Sequence, residues 1–268
     1  MSVFEEMMLR SLHVQSMRAG ELHAGHESHR LFQASTVAAL LDGVYDGDLT
    51  FAELAAHGDL GLGTLNGLDG EMIAIDGAFL RADVNGEITE IPPNARTPFA
   101  VVTEFRPNLE FGVGRIESFG ELADQLDRQL PADSPAAAIR IDGSFSSILA
   151  RSVPKQARPY RHLDEVVAGQ NVFRIPACTG SLVGFRFPTY SQGIEIAGYH
   201  LHFVDEDRLR GGHLLDCEIE SATVRAAEFS DLRIELPPGI DLGSPDLADA
   251  THEAIERAEK FHPGRAET

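Results

Sequence analysis

The chain has 268 residues, 43% hydrophobic and 24% charged, a balance typical of a globular protein with a sizeable core. Its 42 acidic residues against 22 basic ones give a formal net charge of −20, which argues against nucleic acid or an anionic membrane as a partner. Two cysteines are too few for a disulfide scaffold, and the sequence shows neither a signal-peptide pattern nor a membrane-length apolar run, so we expect a cytoplasmic protein.

The first 30 residues are predicted to form an N-terminal extension. His23, His26 and His29 have a spacing that can bind a metal on a helix, but Gly25 interrupts any such helix. A solvated surface stretch is therefore the favoured interpretation of this histidine series.

Three helices are predicted in the next part of the chain. Ser35 or Thr36 can cap a helix whose apolar face lies within residues 37–44, and Thr50 can cap a second, short helix. Ser118 precedes a longer helix, because the leucines at positions 122, 126 and 130 fall on one face.

Strands are predicted around these helices. The turn signals Asp76-Gly77 and Asn85-Gly86 separate three short apolar runs between residues 72 and 91, a pattern typical of a β-meander. Further strands are predicted at residues 99–105, 136–145 and 147–153, the last two flanking a turn or bend.

The second half of the chain is predicted to be largely antiparallel sheet. Alternating apolar runs occupy residues 173–175, 181–187, 194–203, 213–219, 222–228 and 233–236, and residues 245–259 are compatible with a helix. A proline-containing basic linker at residues 154–160 suggests a boundary. We therefore predict an α/β fold of the α+β type, with a mixed-sheet subdomain over residues 31–160 and an antiparallel subdomain over residues 161–268.

The strongest functional signal is a pair of histidines followed by a third. His200 and His202 are two residues apart, a spacing that directs both imidazoles to one face of a strand. The acidic run at residues 205–207 and Gly211-Gly212 indicate a hairpin that brings His213 beside the pair. Three neutral imidazoles on neighbouring strands are typical of a catalytic zinc site with an open position, although copper, nickel and iron also accept them.

Five motifs stand in a characteristic order along the chain. They are Leu41–Asp48, Gly61–Glu71, Thr97–Ala100, Arg151–Gln156, and Gly198–Phe203 followed by Gly211–His213. Together they resemble the alpha-acetolactate decarboxylase family, from about residue 31 to the C-terminus, with the first 30 residues outside the likeness. The resemblance implies a zinc-dependent homodimer that converts 2-acetolactate to acetoin and carbon dioxide, with its metal site between the two subdomains, in acetoin and butanediol biosynthesis.

The resemblance also implies the residues of the site. The zinc ligands fall on His200, His202 and His213, and Thr64 falls beside the metal. Glu71 and Arg151 match the family's functional glutamate and arginine, and Arg140 does not. A glutamate of the C-terminal tail folds back into the site, where Glu259 is the matching position and Glu253 and Glu256 lie close to it.

These residues then have expected roles in the reaction. Arg151 would orient the substrate carboxylate, and Glu71 and Glu259 would move protons at the hydroxyl and at the carbon. No organic cofactor is expected, because the substrate's own ketone accepts the electrons. Without the resemblance, Glu71 would be interpreted as an exposed residue at a strand start, Arg151 as a sheet-edge residue and Glu259 as a solvated tail charge.

Two alternatives compete with this reading. His200-Leu201-His202 followed by Glu206 is similar to the first motif of cupin metalloenzymes, which include dioxygenases and isomerases. The third histidine, however, follows His202 by only eleven residues, and Glu206 would lie in the hairpin loop. The other alternative is a metal-storage or ligand-binding module, which predicts a closed tetrahedral site.

Overall fold

A computed structural model describes residues 11–15, 30–130, 136–191, 193–229 and 231–236. The helices in these ranges are α1 (Val37–Leu41), α2 (Phe51–Leu54), α3 (Phe119–Gln129) and α4 (Leu163–Val167), with a 3-10 turn at Thr189–Ser191. The strands are β1 (Ser11–Gln15), β2 (Arg30–Ala34), β3 (Leu49–Thr50), β4 (Leu60–Thr64), β5 (Glu71–Ile75), β6 (Ala78–Ala82), β7 (Ile88–Glu90), β8 (Arg96–Thr97), β9 (Ala100–Thr103), β10 (Leu109–Val113), β11 (Ala137–Ser152), β12 (Asn171–Phe187), β13 (Gly198–Asp205), β14 (Gly211–Glu228) and β15 (Asp231–Glu235).

The first large sheet is mixed and has eight strands in the order β1-β15-β2-β9-β4-β5-β6-β7. Its only parallel pair among the described strands is β15 with β2, and the predicted meander β5-β6-β7 forms one side of it. Residues 11–15 of the predicted extension contribute β1, which pairs antiparallel with β15. The histidine series at positions 23, 26 and 29 lies outside the described residues, as does the predicted helix at residues 245–259.

The second large sheet is antiparallel and has five strands in the order β10-β14-β11-β12-β13. The start of β14 also pairs with β13, so that β11, β12, β13 and β14 close into a ring. Strands β10 and β11 precede residue 160, and β15 of the first sheet follows it. The two sheets are therefore assembled from interleaved parts of the chain.

Three pairs of predicted strands are each one long strand. Strands β11, β12 and β14 have 16, 17 and 18 residues, and the break expected inside β11 is an irregularity of register near Phe145. The Asp142-Gly143 signal does not make a turn. A Cβ at Gly143 would lie 2.4 Å from the carbonyl oxygen of Ser221, so this glycine instead allows β11 and β14 to approach closely.

The predicted helix caps are confirmed. Thr36 and Ser118 accept hydrogen bonds from backbone N–H groups three residues on, at 3.2 Å each, and Thr50 forms a capping box with Glu53. Ser35, the alternative cap of α1, instead has a φ of 66°. Along α3, Leu122 and Leu126 are fully buried in the core of the five-stranded sheet.

The sheets are predicted correctly as mixed and antiparallel, but the α+β label gives too much weight to helix. The described chain is mostly β-sheet, and three of its four α-helices have five residues or fewer. A shared core joins the two sheets, since Ile73 and Leu62 of the first pack in one cluster with Val183 and Phe185 of the second. None of the helices in the described ranges is long and apolar enough to cross a bilayer.

Candidate metal centre

The three predicted histidines converge on one face of the five-stranded sheet. In the β13–β14 pair His202 lies directly opposite His213, and His200 precedes His202 by two residues on the same face of β13. One ring nitrogen from each lies within 4.8 Å of those of the other two. The exposed fractions of the three residues are only 8%, 1% and 4%. The hairpin predicted from the glycines and acidic residues thus forms and brings the trio together.

Burial keeps these imidazoles neutral. Loss of solvation lowers the pKa of His202 to about 3. The same desolvation lowers the pKa of His200 well below 6.5, and the nearby charges of His202 and Arg151 lower it further. A neutral imidazole has a lone pair to donate, so the pair is in the protonation state that a metal ion requires.

A backbone carbonyl sets the tautomer of His202. Its Nδ1 lies 2.8 Å from the carbonyl oxygen of Met72, and because a carbonyl only accepts, Nδ1 carries the proton. The lone pair is then on Nε2. Nε2 of His202 and Nδ1 of His200 are buried and have no hydrogen-bond partner among the described residues. Two orphaned acceptors aimed into one cluster fit a metal ion as the missing partner.

The eight-stranded sheet presents a carboxylate to this cluster. Glu71 is the first residue of β5, and its Oε2 lies 3.6 Å from Nε2 of His202. Thr64 of β4 is its partner in the antiparallel pair, and the Thr64 hydroxyl donates a 2.8 Å hydrogen bond to the carbonyl of Gly70. Glu71 is buried, so the interpretation as an exposed strand-start residue is wrong.

A buried guanidinium lies on the other side of the trio. Arg151 pairs with His213 across β11 and β14, its Nη2 is 3.4 Å from Nε2 of His213, and it is 4% exposed. It is therefore not a residue of the sheet edge. Arg140 of the same strand instead forms ion pairs with Asp76 and Asp142, at 2.6 and 2.9 Å.

All these groups line one pocket, which encloses about 470 Å³ of space including its mouth. We call it the site pocket. Its polar lining consists of Thr64, Glu71, Arg151 and the three histidines, and its apolar lining includes Val153, Leu163 and Ile196. The pocket thus has room for a compact organic acid beside a carboxylate and a cationic group.

Some predicted residues do not join this group. Glu259, Glu253 and Glu256 lie outside the described residues. Glu206, the fourth ligand in the cupin alternative, is in the exposed hairpin loop, where it accepts a 2.6 Å hydrogen bond from Thr179. The carbonyl of Met72 was missed by the sequence analysis, because a backbone group gives no signal in residue type.

The fold and this site define a class of protein: a mostly β protein with a buried candidate metal centre, flanked by a carboxylate and a guanidinium and suited to a small anionic substrate. The sequence model of one family, alpha-acetolactate decarboxylase, matches residues 31–248. The chain belongs to this alpha-acetolactate decarboxylase family.

Relatives agree with that assignment. The chain is 41% identical to the alpha-acetolactate decarboxylase of Methylococcus capsulatus, over 95% of this chain and 98% of that protein. It is 45% identical to that of Klebsiella aerogenes, over 80% and 82%. The crystal structure of the Bacillus subtilis enzyme superposes with a TM-score of 0.81 at 37% identity, covering 87% of this chain and all of that one. The likeness to the Methylococcus protein necessarily includes part of the first 30 residues, which were predicted to lie outside it.

Proposed function

We propose that this enzyme uses a zinc ion held by His200, His202 and His213 to decarboxylate 2-acetolactate to acetoin and carbon dioxide. Family membership supports the reaction. The observation that supports the metal is the convergence of three buried, neutral imidazoles within 4.8 Å. Zinc suits three nitrogen ligands and leaves a position open for substrate oxygens.

The reaction breaks the bond between C2 of the substrate and its carboxylate carbon. Carbon dioxide departs without that electron pair, which passes into the adjacent ketone and leaves an enediolate. When bound, zinc supplies Lewis-acid stabilisation of the negative charge that develops on the two oxygens. No organic cofactor is needed, because the ketone is already in place to accept the electrons.

Arg151 is proposed to bind and orient the substrate carboxylate. A guanidinium forms two parallel hydrogen bonds with a carboxylate, and the buried position of Arg151 strengthens this contact. Its place 3.4 Å from Nε2 of His213 keeps the carboxylate near the metal centre. This orientation aligns the bond to be broken with the ketone that receives its electrons.

Glu71 and Glu259 are proposed to handle protons, one at the hydroxyl and the other at the carbon that lost carbon dioxide. The carboxylate of Glu71 is 3.6 Å from His202 and lines the site pocket, a position that supports such a role. Thr64 is proposed to contact the substrate. Since its hydroxyl proton is donated to Gly70, it offers an acceptor to the site.

The decisive experiment measures acetoin formed from 2-acetolactate by the protein as purified, after chelation of its metal, and after zinc is restored. We expect activity to vanish on chelation and to return with one zinc per chain. Elemental analysis of the three samples gives the metal content. Full activity in a sample shown to contain no metal would refute the proposed zinc site while leaving the family assignment intact.

The wider setting is also proposed. We infer a homodimer in the cytoplasm that serves acetoin and butanediol biosynthesis, with the zinc site between a mixed-sheet subdomain and an antiparallel one. The pocket residues support the last point, because Thr64 and Glu71 come from the first sheet, and Arg151 and the histidines from the second. Light scattering of the purified chain tests the dimer.

A further inference from the structure

A second pocket adjoins the metal centre. Apolar side chains dominate its walls: Phe119 of α3, Ile196 and Ala197 before β13, Leu201 of β13, and Leu214 and Leu215 of β14. We call it the apolar pocket. It lies where β13 and β14 diverge beyond the His202–His213 pair, and His200 and His213 line it as well as the site pocket.

The polar groups of the apolar pocket are already engaged. The Asp216 carboxylate accepts hydrogen bonds from the backbone N–H groups of Phe119 and Cys217, at 2.7 and 2.9 Å. The Tyr199 hydroxyl donates a 2.7 Å hydrogen bond to Asp127. With its polar groups satisfied internally, the pocket favours a hydrocarbon group over a charged one.

Ile196 separates the two pockets. Only Ile196, His200 and His213 line both of them, and of these three Ile196 is the residue that is not a proposed metal ligand. It is 4% exposed. Its side chain thus forms the replaceable part of the boundary between the polar and the apolar space.

The loop that carries Ile196 is fixed in place. The carbonyl of Ile194 accepts hydrogen bonds from the N–H of Val37 and from the side chain of Gln33, at 3.1 and 2.8 Å, and the carbonyl of Gly193 accepts one from Ala38 at 3.1 Å. These bonds use the free N–H groups at the start of α1. A side chain on so well anchored a loop can set the size of a pocket.

The shape of the substrate relates these two pockets to the four groups on its C2 atom. The proposed function places the carboxylate at Arg151 and the hydroxyl and ketone oxygens at the histidine trio. Because C2 is tetrahedral, its fourth group, the methyl, points away from these three. The neighbouring space without free polar groups is the apolar pocket beyond Ile196.

We propose that the apolar pocket is the subsite for the alkyl group on C2 and that Ile196 determines how long this group can be. The inference rests on the proposed function. It implies that the enzyme selects among 2-hydroxy-2-alkyl acids by chain length, and that shortening Ile196 opens the apolar pocket to longer chains. One methylene in a hydrophobic pocket typically discriminates about tenfold or more in specificity.

Binding without turnover gives the cleanest test. Acids of the 2-hydroxy-2-methylalkanoate series, from butanoate to hexanoate, lack the ketone and cannot be decarboxylated. Their dissociation constants are measured by calorimetry with the zinc-loaded enzyme. For Ile196→Ala we expect about fourfold tighter binding per added methylene, equivalent to about 0.8 kcal/mol for each CH₂ buried, and a smaller gain for wild type. Ile196→Val should fall between the two and remains informative if the alanine variant folds poorly.

Val153→Ala is the matched control, since Val153 is buried and lines the site pocket but not the apolar pocket. It should leave the dependence on chain length as in wild type. Adding Leu215→Phe to Ile196→Ala should remove the gain by filling the apolar pocket. If wild type and both Ile196 variants share one dependence on chain length, the inference is wrong. Loss of zinc-dependent acetoin formation in wild type would instead contradict the proposed function.

Discussion

At the scale of single residues, the site combines groups that are costly to bury unless they have a purpose. Arg151 and Glu71 are both buried beside three neutral histidines, and each belongs to a different sheet. A charged side chain removed from water loses several kcal/mol of hydration, on the order of what a good partner returns. Their placement around one pocket indicates that the substrate and the metal complete the arrangement.

Replacing Arg151 tests its contact with the substrate carboxylate. We expect Arg151→Lys to lower kcat/KM about 100-fold, because a lysine keeps the charge but not the paired hydrogen bonds, and Arg151→Ala to lower it further. Steady-state kinetics with 2-acetolactate measure both effects. The zinc content should stay near one per chain, and normal turnover by Arg151→Ala would contradict the role.

Replacing Glu71 tests proton transfer at the site. Glu71→Gln has nearly the same shape but cannot accept a proton, so we expect kcat to fall by about 10²–10⁴-fold, the usual contribution of a general acid or base. Glu206→Gln is the control, since Glu206 is exposed in the β13–β14 loop and should tolerate the change. Equal activity of the two variants would show that Glu71 has no such part.

At the scale of elements, the β13–β14 hairpin determines the geometry of the metal centre. Gly211 opens β14 and lies so close to β13 that a Cβ there would be 2.5 Å from the carbonyl oxygen of Phe203 and 2.8 Å from Ile88. Backbone atoms cannot yield cheaply at that distance. A side chain at this position must therefore displace the strand that carries His213.

We accordingly predict that Gly211→Ala weakens zinc binding at least tenfold and lowers the melting temperature. Competition with a chromophoric chelator measures the affinity, and calorimetry measures the melting temperature. Gly114→Ala is the matched control, because a Cβ at Gly114 would meet nothing within 4 Å. Unchanged zinc affinity in Gly211→Ala would show that the hairpin can shift without moving His213.

The elements also show which parts of the structure could be predicted from sequence. The histidine trio depends on one hairpin, so local spacing was enough to predict it. Glu71 and Arg151 join it through pairings between distant segments, and only the family resemblance indicated them. Gly143 carried a turn signal, but its contact with β14, more than 70 residues away along the chain, decided the outcome. The carbonyl of Met72 depends on a contact between the sheets that no residue type announces.

At the scale of the whole molecule, the metal centre joins the two sheets. His202 of the second sheet contacts the backbone of Met72 in the first, and Glu71 approaches the same imidazole. An ion that binds only the folded state stabilises it by mass action, about 2.7 kcal/mol at a concentration 100 times the dissociation constant. The zinc site should thus contribute to the stability of the molecule as well as to its chemistry.

We therefore expect chelation of zinc to lower the melting temperature by several degrees, and re-addition of zinc to restore it. Differential scanning calorimetry at a fixed protein concentration measures the shift. His202→Ala should melt at the same temperature with and without chelator, which separates loss of the ion from a direct effect of the chelator. A melting temperature that is insensitive to chelation in wild type would show that the ion does not link the sheets energetically.

The parallel pairing of β15 with β2 has a consequence for how the chain matures on the ribosome. Strand β15 lies between β1 and β2 in the eight-stranded sheet, although its residues, 231–235, are synthesised some 200 residues after those of β2. Until they emerge, the nascent chain has an uncovered strand edge at β2, which is a template for intermolecular pairing. Correct assembly therefore waits for nearly complete translation, and prematurely terminated products of this gene should be prone to aggregate.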